Sequence, residues 1–519
     1  MSSSHRIARS TGVLTLTTGA SRVLGFIRDM IVAGLFGTGT QAQAFVIAFR
    51  IPNLLRDLVA EGAVSSAVVP VLSWYRAKAD PKEFWKLSQA LCVRLGLFVI
   101  LLGCAGVFAA EPLVRLTAPG FSADPEKFHL TVRLTRLLFP FITLVGLWAY
   151  FMGLLNSLHH FAVPALGPAI LNVAIIAACV WVVPRTQPGV VGLAVGVIIG
   201  GVIQLAVQIP VAVWYGFRWR WRWRHPGSKQ ILALLGPRMV GSAVYQASVL
   251  VDTVLASLVT VVGEGAVAAL YFSNRVVQLP MGIFGTAAAQ ASLPSLAEQA
   301  AHEEWDAFAR TLRSVLRMVG FVILPSSVGL IALALPIVAG LFQHGAFDHR
   351  SSVMTARAMA CYALGLLAYS SNKIFTSAFY ALRDTRTPVR LAAEAMVANA
   401  VLSVALMWPF GLSGIALGTS ASSTINACRL ARRLERRLGR PVLAPLRAPL
   451  GRITAASLLM GAGCWVVSRW VVAAWSPWVG LPVLIGAGLM LYAASCRLLQ
   501  VQELHTVVRW LARLPFTSE

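Results

Sequence analysis

Runs of about twenty apolar residues recur from one end of the chain to the other. Each is long enough as a helix to cross a hydrocarbon layer about 30 Å thick. This recurrence is the strongest constraint on the fold. Backbone groups in lipid must be satisfied without water, so only helices or a closed barrel can span. No run alternates polar and apolar with a period of two, which removes the barrel. Only 12% of the residues are charged, against about a quarter in a soluble protein. The expected fold is an all-α polytopic membrane protein.

Fourteen spans are predicted, near 12–36, 43–73, 88–110, 131–157, 161–183, 189–215, 231–261, 266–296, 312–341, 353–381, 387–408, 411–429, 453–474 and 479–500. The chain carries 44 Lys and Arg against 20 Asp and Glu, a net charge of +24. Such an excess suits nucleic acid, but its placement says otherwise. With the N-terminus in the cytoplasm, the cytoplasmic links hold 27 Lys and Arg and the opposite links 4. That is the positive-inside pattern with both termini inside, and no nucleic-acid partner is expected. The opening MSSSHRIARS resembles a signal-peptide start, but no cleavage site follows, so the first span is read as uncleaved. The seven cysteines show no metal-binding spacing.

An internal repeat divides the chain. GVVGLAVG at 189–196 matches GLSGIALG at 411–418, Pro164 matches Pro388, and Val69-Pro70-Val71-Leu72 matches Leu293-Pro294-Ser295-Leu296. Landmarks in one order at nearly one offset predict two copies of a six-span unit. An even span number gives both copies one orientation and a pseudo-two-fold along the membrane normal. The expected organisation is an N-lobe at 1–216, a basic aromatic linker at 217–230 and a C-lobe at 231–429. A basic linker at 430–452, two extra spans within 453–500 and a tail at 501–519 follow. The site is expected where the lobes meet. The linkers read as interfacial: FRWRWRWRH at 217–225 alternates Arg with Trp, and RLARRLERRLGR at 429–440 is a basic helical extension. Both compositions favour anionic phospholipid.

Residues 21–75 carry the most informative charges. An ionised side chain at mid-bilayer costs about 2.5–3.5 kcal/mol on insertion scales. Yet the first two spans hold Arg22, Arg28, Asp29, Arg50, Arg56, Asp57 and Glu61. Arg22 and Asp29 share a helical face, with Arg28 roughly 120° away. Gly25 offers a bend between the arginines. Pro52 is expected to break the hydrogen-bond ladder, and Asn53, Arg56, Asp57 and Glu61 follow as a polar stripe. In the eighth span Asn274 and Arg275 precede Pro280. Arg22, Arg28, Arg56 and Arg275 together describe an anion site, most simply for a diphosphate, because the guanidinium fork fits phosphate oxygens. The competing account makes them structural ion pairs with Asp29 and Asp57. Asp252 either helps hold a coupling cation with Asn399 or pairs with an arginine. No P-loop, HExxH or carboxylate cluster for Mg²⁺ is present, so no enzyme and no resident cofactor are expected.

SRVLGFIRD at 21–29, FRIPNLLRDLVAEGAVSSAVVPVLS at 49–73, TAPGF at 117–121, NRVVQLPMGIFG at 274–285, LPSL at 293–296, LFQHGAF at 341–347 and FYALRDTRTPV at 379–389 resemble the MurJ/MviN family. These are the lipid II flippases of the multidrug/oligosaccharidyl-lipid/polysaccharide exporter superfamily. The resemblance covers essentially the whole chain. It implies flipping of undecaprenyl-diphosphate-linked disaccharide-pentapeptide across the bacterial inner membrane, for cell-wall synthesis and cell shape. It implies substrate contacts at Arg22, Arg28, Arg56 and Arg275. Energy would come from Na⁺ or H⁺ coupling or from membrane potential, and wall-synthesis proteins are candidate partners. Gln43 stands where the family often has an acid. Alternatives are another polyprenyl-diphosphate saccharide, or a cation-coupled drug exporter of the same superfamily.

Overall fold

The computed structural model describes residues 3–56, 65–78, 80–474 and 477–505. All regular structure among these residues is helical. Among the described residues, eight helices are long and apolar enough to cross a membrane. A ninth span results if His349–Leu364 and Leu366–Ala381, bent by 44°, are counted together. Further helices fall where the other spans are predicted. Among them are Ser3–Phe36, Thr40–Arg56 and Ala266–Pro280, which carry Arg22, Arg28, Arg56 and Arg275.

Local chemistry explains the helix ends. Asp80 and Asp124 each precede a proline in the first helical turn, and their carboxylates accept from the backbone N–H of Lys82 (2.8 Å) and Lys127 (3.1 Å). This capping satisfies donors that a helix start leaves open. Asp348 caps His349–Leu364 in the same way, through the Ser351 N–H at 2.7 Å. The 44° bend falls at Gly365, where a Cβ would lie 2.8 Å from the Ser420 backbone.

The chain separates into two compact units, 1–260 and 261–519. In the first, Ala162–Trp181 packs as a hairpin on Gly189–Trp214 and also meets the first helix. Pro81–Phe108 packs on Pro140–Ser157 around buried Phe139, Phe141, Tyr150 and Phe151. The Tyr150 hydroxyl meets the Ser88 hydroxyl (2.6 Å) and carbonyl (2.8 Å), so its buried oxygen is satisfied. In the second unit, Arg386–Phe410 and Leu412–Leu438 form the corresponding hairpin.

The repeated glycines have one physical reason in both hairpins. A Cβ on Gly192 would meet Thr186 Oγ1 at 2.5 Å, and one on Gly196 would meet Ala178 Cβ at 2.3 Å. On their counterparts, Gly414 and Gly418, a Cβ would meet Leu406 O at 2.1 Å and Ser403 Oγ at 2.4 Å. Glycine at these positions lets two helix backbones approach closely.

The last two helices, Arg447–Ala474 and Pro477–Leu498, build their own core with Trp305–Ala332. Phe321, Ile453, Met460, Leu484 and Tyr492 pack there, and the Tyr492 hydroxyl donates to Phe321 O at 2.7 Å.

The basic extension of Leu412–Leu438 is held by acids within the second unit. Arg429 reaches Glu394, Arg437 reaches Asp384 at 2.6 Å, and Arg440 reaches Asp306 at 2.6 Å. Asp384 also accepts from the backbone N–H of Arg386 (3.1 Å) and Thr387 (3.0 Å). Burial pushes its carboxyl up, but the Thr387 N–H and hydroxyl and the Arg437 charge outweigh it and hold the group below its ordinary value. A lowered folded pKa means that the stabilisation is full at neutral pH and fades as pH falls through the ordinary carboxylate range. Asp384→Ala is expected to cost about 0.5–2 kcal/mol, as for a lost helix cap. It should lower the melting midpoint in detergent at pH 7, with the gap to wild type closing towards pH 3.

Candidate functional site

In the first unit, the candidate residues Arg22, Arg28 and Asp29 lie on the first helix, Ser3–Phe36. The Arg28 side chain is only 14% exposed, and it curls back along the helix to the adjacent carboxylate. Its Nε and Nη2 donate to Asp29 Oδ1 at 3.1 and 2.7 Å. Its Nη1 donates to Asn172 Oδ1 at 2.9 Å, and Asn172 Nδ2 donates to Ser21 O at 3.0 Å. The guanidinium plane is therefore fixed by two helices. Gly25 serves this contact: the helix runs unbroken through it, and a Cβ there would lie 3.3 Å from Asn172 Nδ2. Arg22, six residues before Arg28, is exposed.

Helical spacing alone does not place Arg28 beside Asp29, because adjacent residues on a helix do not face each other. The length of the arginine side chain supplies the contact. Asn172 was missed by the sequence reading. Its signal is a lone amide in the otherwise apolar helix Ala162–Trp181.

Thr40–Arg56 continues through Pro52 rather than breaking there. A membrane helix tolerates the lost bond where neighbouring helices pack against it, and Pro52 is buried. Asn53 is half-buried on this helix, and Gln43 is fully buried. Arg56 is the last residue of the helix. Asp57 and Glu61 lie outside the described residues.

In the second unit, Ala266–Pro280 passes into a π-helical turn, Met281–Gly285, before Thr286–Ala301. Such turns recur at functional sites. Arg275 lies one turn before Pro280, with Nη2 donating to the Tyr271 hydroxyl at 3.0 Å and the guanidinium carbon 4.9 Å from the Tyr271 ring centre. Its neighbour Asn274 is half-buried.

Asp252 is half-buried on Gly227–Ala256, and Asn399 is buried on Arg386–Phe410. Asn399 Oδ1 accepts from the Ser403 and Ser422 hydroxyls, each at 3.4 Å. Nearby, Asn426 Nδ2 donates to Asn372 Oδ1 at 3.2 Å, and Asn372 Nδ2 to Ser423 O at 3.1 Å. This interhelical polar seam was also missed, although the Ser/Thr/Asn-rich run 413–426 was its signal. Among the described residues, no group of three His, Cys, Asp or Glu could hold a metal ion.

Solved structures share this architecture. An inward-facing multidrug resistance MATE transporter of the MOP superfamily matches with a TM-score of 0.68 at 15% identity, over 81% of this chain and 94% of that one. The structure titled lipid II flippase MurJ, inward closed conformation, matches with a TM-score of 0.79 at 25% identity, over 93% of this chain and 98% of that one. The apolar helices and the shared fold define an all-helical, multi-pass membrane protein. In sequence, the family profile described as lipid II flippase MurJ matches residues 32–485. The probable lipid II flippase MurJ of Vibrio cholerae is 34% identical over 96% of this chain and 97% of that protein. The lipid II flippase MurJ of Burkholderia cenocepacia is 34% identical over 79% of this chain and 80% of that protein. The chain belongs to the lipid II flippase MurJ family.

Proposed function

We propose that this protein moves lipid II, the lipid-linked peptidoglycan precursor, from the cytoplasmic to the periplasmic leaflet of the bacterial inner membrane by alternating access. It is a multi-pass transporter and not an enzyme. The observation that carries the reading is the family match over residues 32–485, and the arginines give it a physical basis. A guanidinium offers a rigid fork of donors to phosphate oxygens, and its attraction for them strengthens where water is scarce.

In this reading Arg22, Arg28, Arg56 and Arg275 bind the diphosphate, and Asp29 orients Arg28. Asn53 and Glu61 contact the headgroup. The polyprenyl tail stays in lipid. Asp252 and Asn399 are the candidates for a coupling ion, Na⁺ or H⁺, with membrane potential as the other energy source. The full architecture is fourteen crossings in two six-span lobes, 1–216 and 231–429, plus the final pair. The glycine repeat and its two close-packed hairpins support that division. Wall-synthesis proteins remain candidate partners.

The likeness to multidrug exporters suggests organic cations as the alternative cargo. An arginine-rich site repels them, since cation recognition uses aromatic faces and acids. A leaflet-accessibility assay separates the readings. Depleting the protein should leave lipid II in the inner leaflet and abolish the externally accessible pool, and re-expression should restore it. Unchanged accessibility, with altered drug susceptibility, would transfer the protein to drug export.

A further inference from the structure

The link between Gly189–Trp214 and Gly227–Ala256 has no regular structure over residues 217–225, yet it is fastened at both ends. Phe217 is buried against Phe151 and Trp85, with ring centres 5.5 and 6.4 Å apart. Gln89 Nε2 donates to the Arg218 carbonyl at 2.8 Å. At the other end, His225 Nε2 lies 3.2 Å from Glu83 Oε2, and its ring centre lies 5.3 Å from that of Tyr75. Between the fastenings, Arg94 sits over the Trp223 ring at 5.7 Å. Both fastenings therefore lie on the first turns of Pro81–Phe108, between Glu83 and Gln89, a rise of about 9 Å.

The middle of the strap is open. Trp219 and Trp221 are 67% and 72% exposed. Arg218, Arg220 and Arg224 are exposed too, and none of the four strap arginines forms an ion pair among the described residues. The basic extension at the end of Leu412–Leu438 differs, because Arg429 and Arg437 are already engaged by acids. Indoles and guanidiniums therefore stand exposed side by side in this irregular segment. Indoles favour the headgroup boundary, and guanidiniums bind phosphate there.

We propose that residues 217–225 form a binding site for anionic phospholipid of the cytoplasmic leaflet. Arg220, Arg222 and Arg224 hold the headgroup phosphate, and Trp219 and Trp221 sit at the acyl boundary. Charge complementarity and continuity with the spanning helices on both sides favour a phospholipid over a soluble anion. The inference rests on the strap and is independent of what the protein transports.

The test is native mass spectrometry of the full chain in detergent, titrated with dioleoyl phosphatidylglycerol or dioleoyl phosphatidylcholine. Wild type should bind phosphatidylglycerol at least fivefold more tightly. The triple variant Arg220→Gln/Arg222→Gln/Arg224→Gln should lose that preference, and Trp219→Ala/Trp221→Ala should weaken both lipids alike. Equal binding of the two lipids by wild type, or a preference that survives the triple variant, would overturn the proposal. So would displacement of phosphatidylglycerol by an oligonucleotide or by free pyrophosphate at equal concentration. If the triple variant does not purify as a single species, wild type in brominated-lipid vesicles supplies the answer. Tryptophan quenching by brominated phosphatidylglycerol should then exceed that by brominated phosphatidylcholine, and the excess should vanish in Trp219→Phe/Trp221→Phe. An excess that persists there overturns the proposal.

Discussion

Replacing Arg28 with alanine is expected to abolish rescue of a strain depleted of the protein. The change removes a side chain that joins Asp29 to Asn172 across two helices. It also takes a charged partner from the Asp29 carboxylate, which is 4% exposed. Breaking a buried pair on one side costs about 3–5 kcal/mol, so part of the loss would be a folding effect. The neutral double variant Arg28→Gln/Asp29→Asn separates the two contributions, since it keeps the shapes and removes both charges. Its membrane level should approach that of wild type, and rescue should still fail. Arg28→Lys keeps the charge but loses the planar fork, and should rescue weakly at best. Arg275→Ala is the companion variant in the second unit, where the guanidinium donates to the neutral Tyr271 hydroxyl. It too should abolish rescue at normal protein level. Full growth with the neutral double variant and with Arg275→Ala would reject the anion-site assignment.

Gly120→Ala should destabilise the first unit by about 1–3 kcal/mol or more, the usual range for forcing atoms into a filled space. Gly120 lies in the short 3₁₀ helix Pro119–Ala123 and presses against the end of Gly227–Ala256. A Cβ there would lie 2.0 Å from Ser257 O and 2.6 Å from Ser257 C, both backbone atoms with no rotamer to change. The Gly120 N–H, donating to Ser257 Oγ at 3.3 Å, would be displaced as well. The melting midpoint in detergent and the protein level in membranes report the effect. Gly451→Ala is the internal control, with nothing within 4 Å of the added carbon. As a helical Gly-to-Ala change it should be neutral or stabilising by up to about 1 kcal/mol. Equal behaviour of the two variants would mean that the packing of Gly120 on Ser257 yields easily.

Much of the architecture was legible in the sequence because lipid imposes simple rules. Apolar runs marked helices such as Pro81–Phe108 and Gly189–Trp214 to within a few residues at most ends. The repeated Gly192, Gly196, Gly414 and Gly418 stood out in the sequence as signs of duplication, and the fold shows that they sit in two close-packed hairpins. The arginines stood out because apolar surroundings make charge conspicuous. Their partners were hidden for different reasons. Arg28 meets Asp29 through side-chain length, which helical periodicity ignores. Asn172 is 144 residues away in sequence, and a lone amide does not announce what it will touch. Tyr271 lies one turn from Arg275, yet the ring contact depends on rotamers. The strap at 217–225 was readable as interfacial from composition, whereas its fastening to Gln89 and Glu83 required the fold.

The final helix pair is seated against Trp305–Ala332 and the short helix Ala334–Phe342 that follows it. Both belong to one predicted span. In the two-lobe plan proposed above, the strongest contacts of this pair among the described residues are therefore with one span of the second lobe, and it stands as an appendage to that lobe. Natural history can add such an appendage in one step, and it leaves the older halves free to keep the internal likeness that the glycine pattern still records.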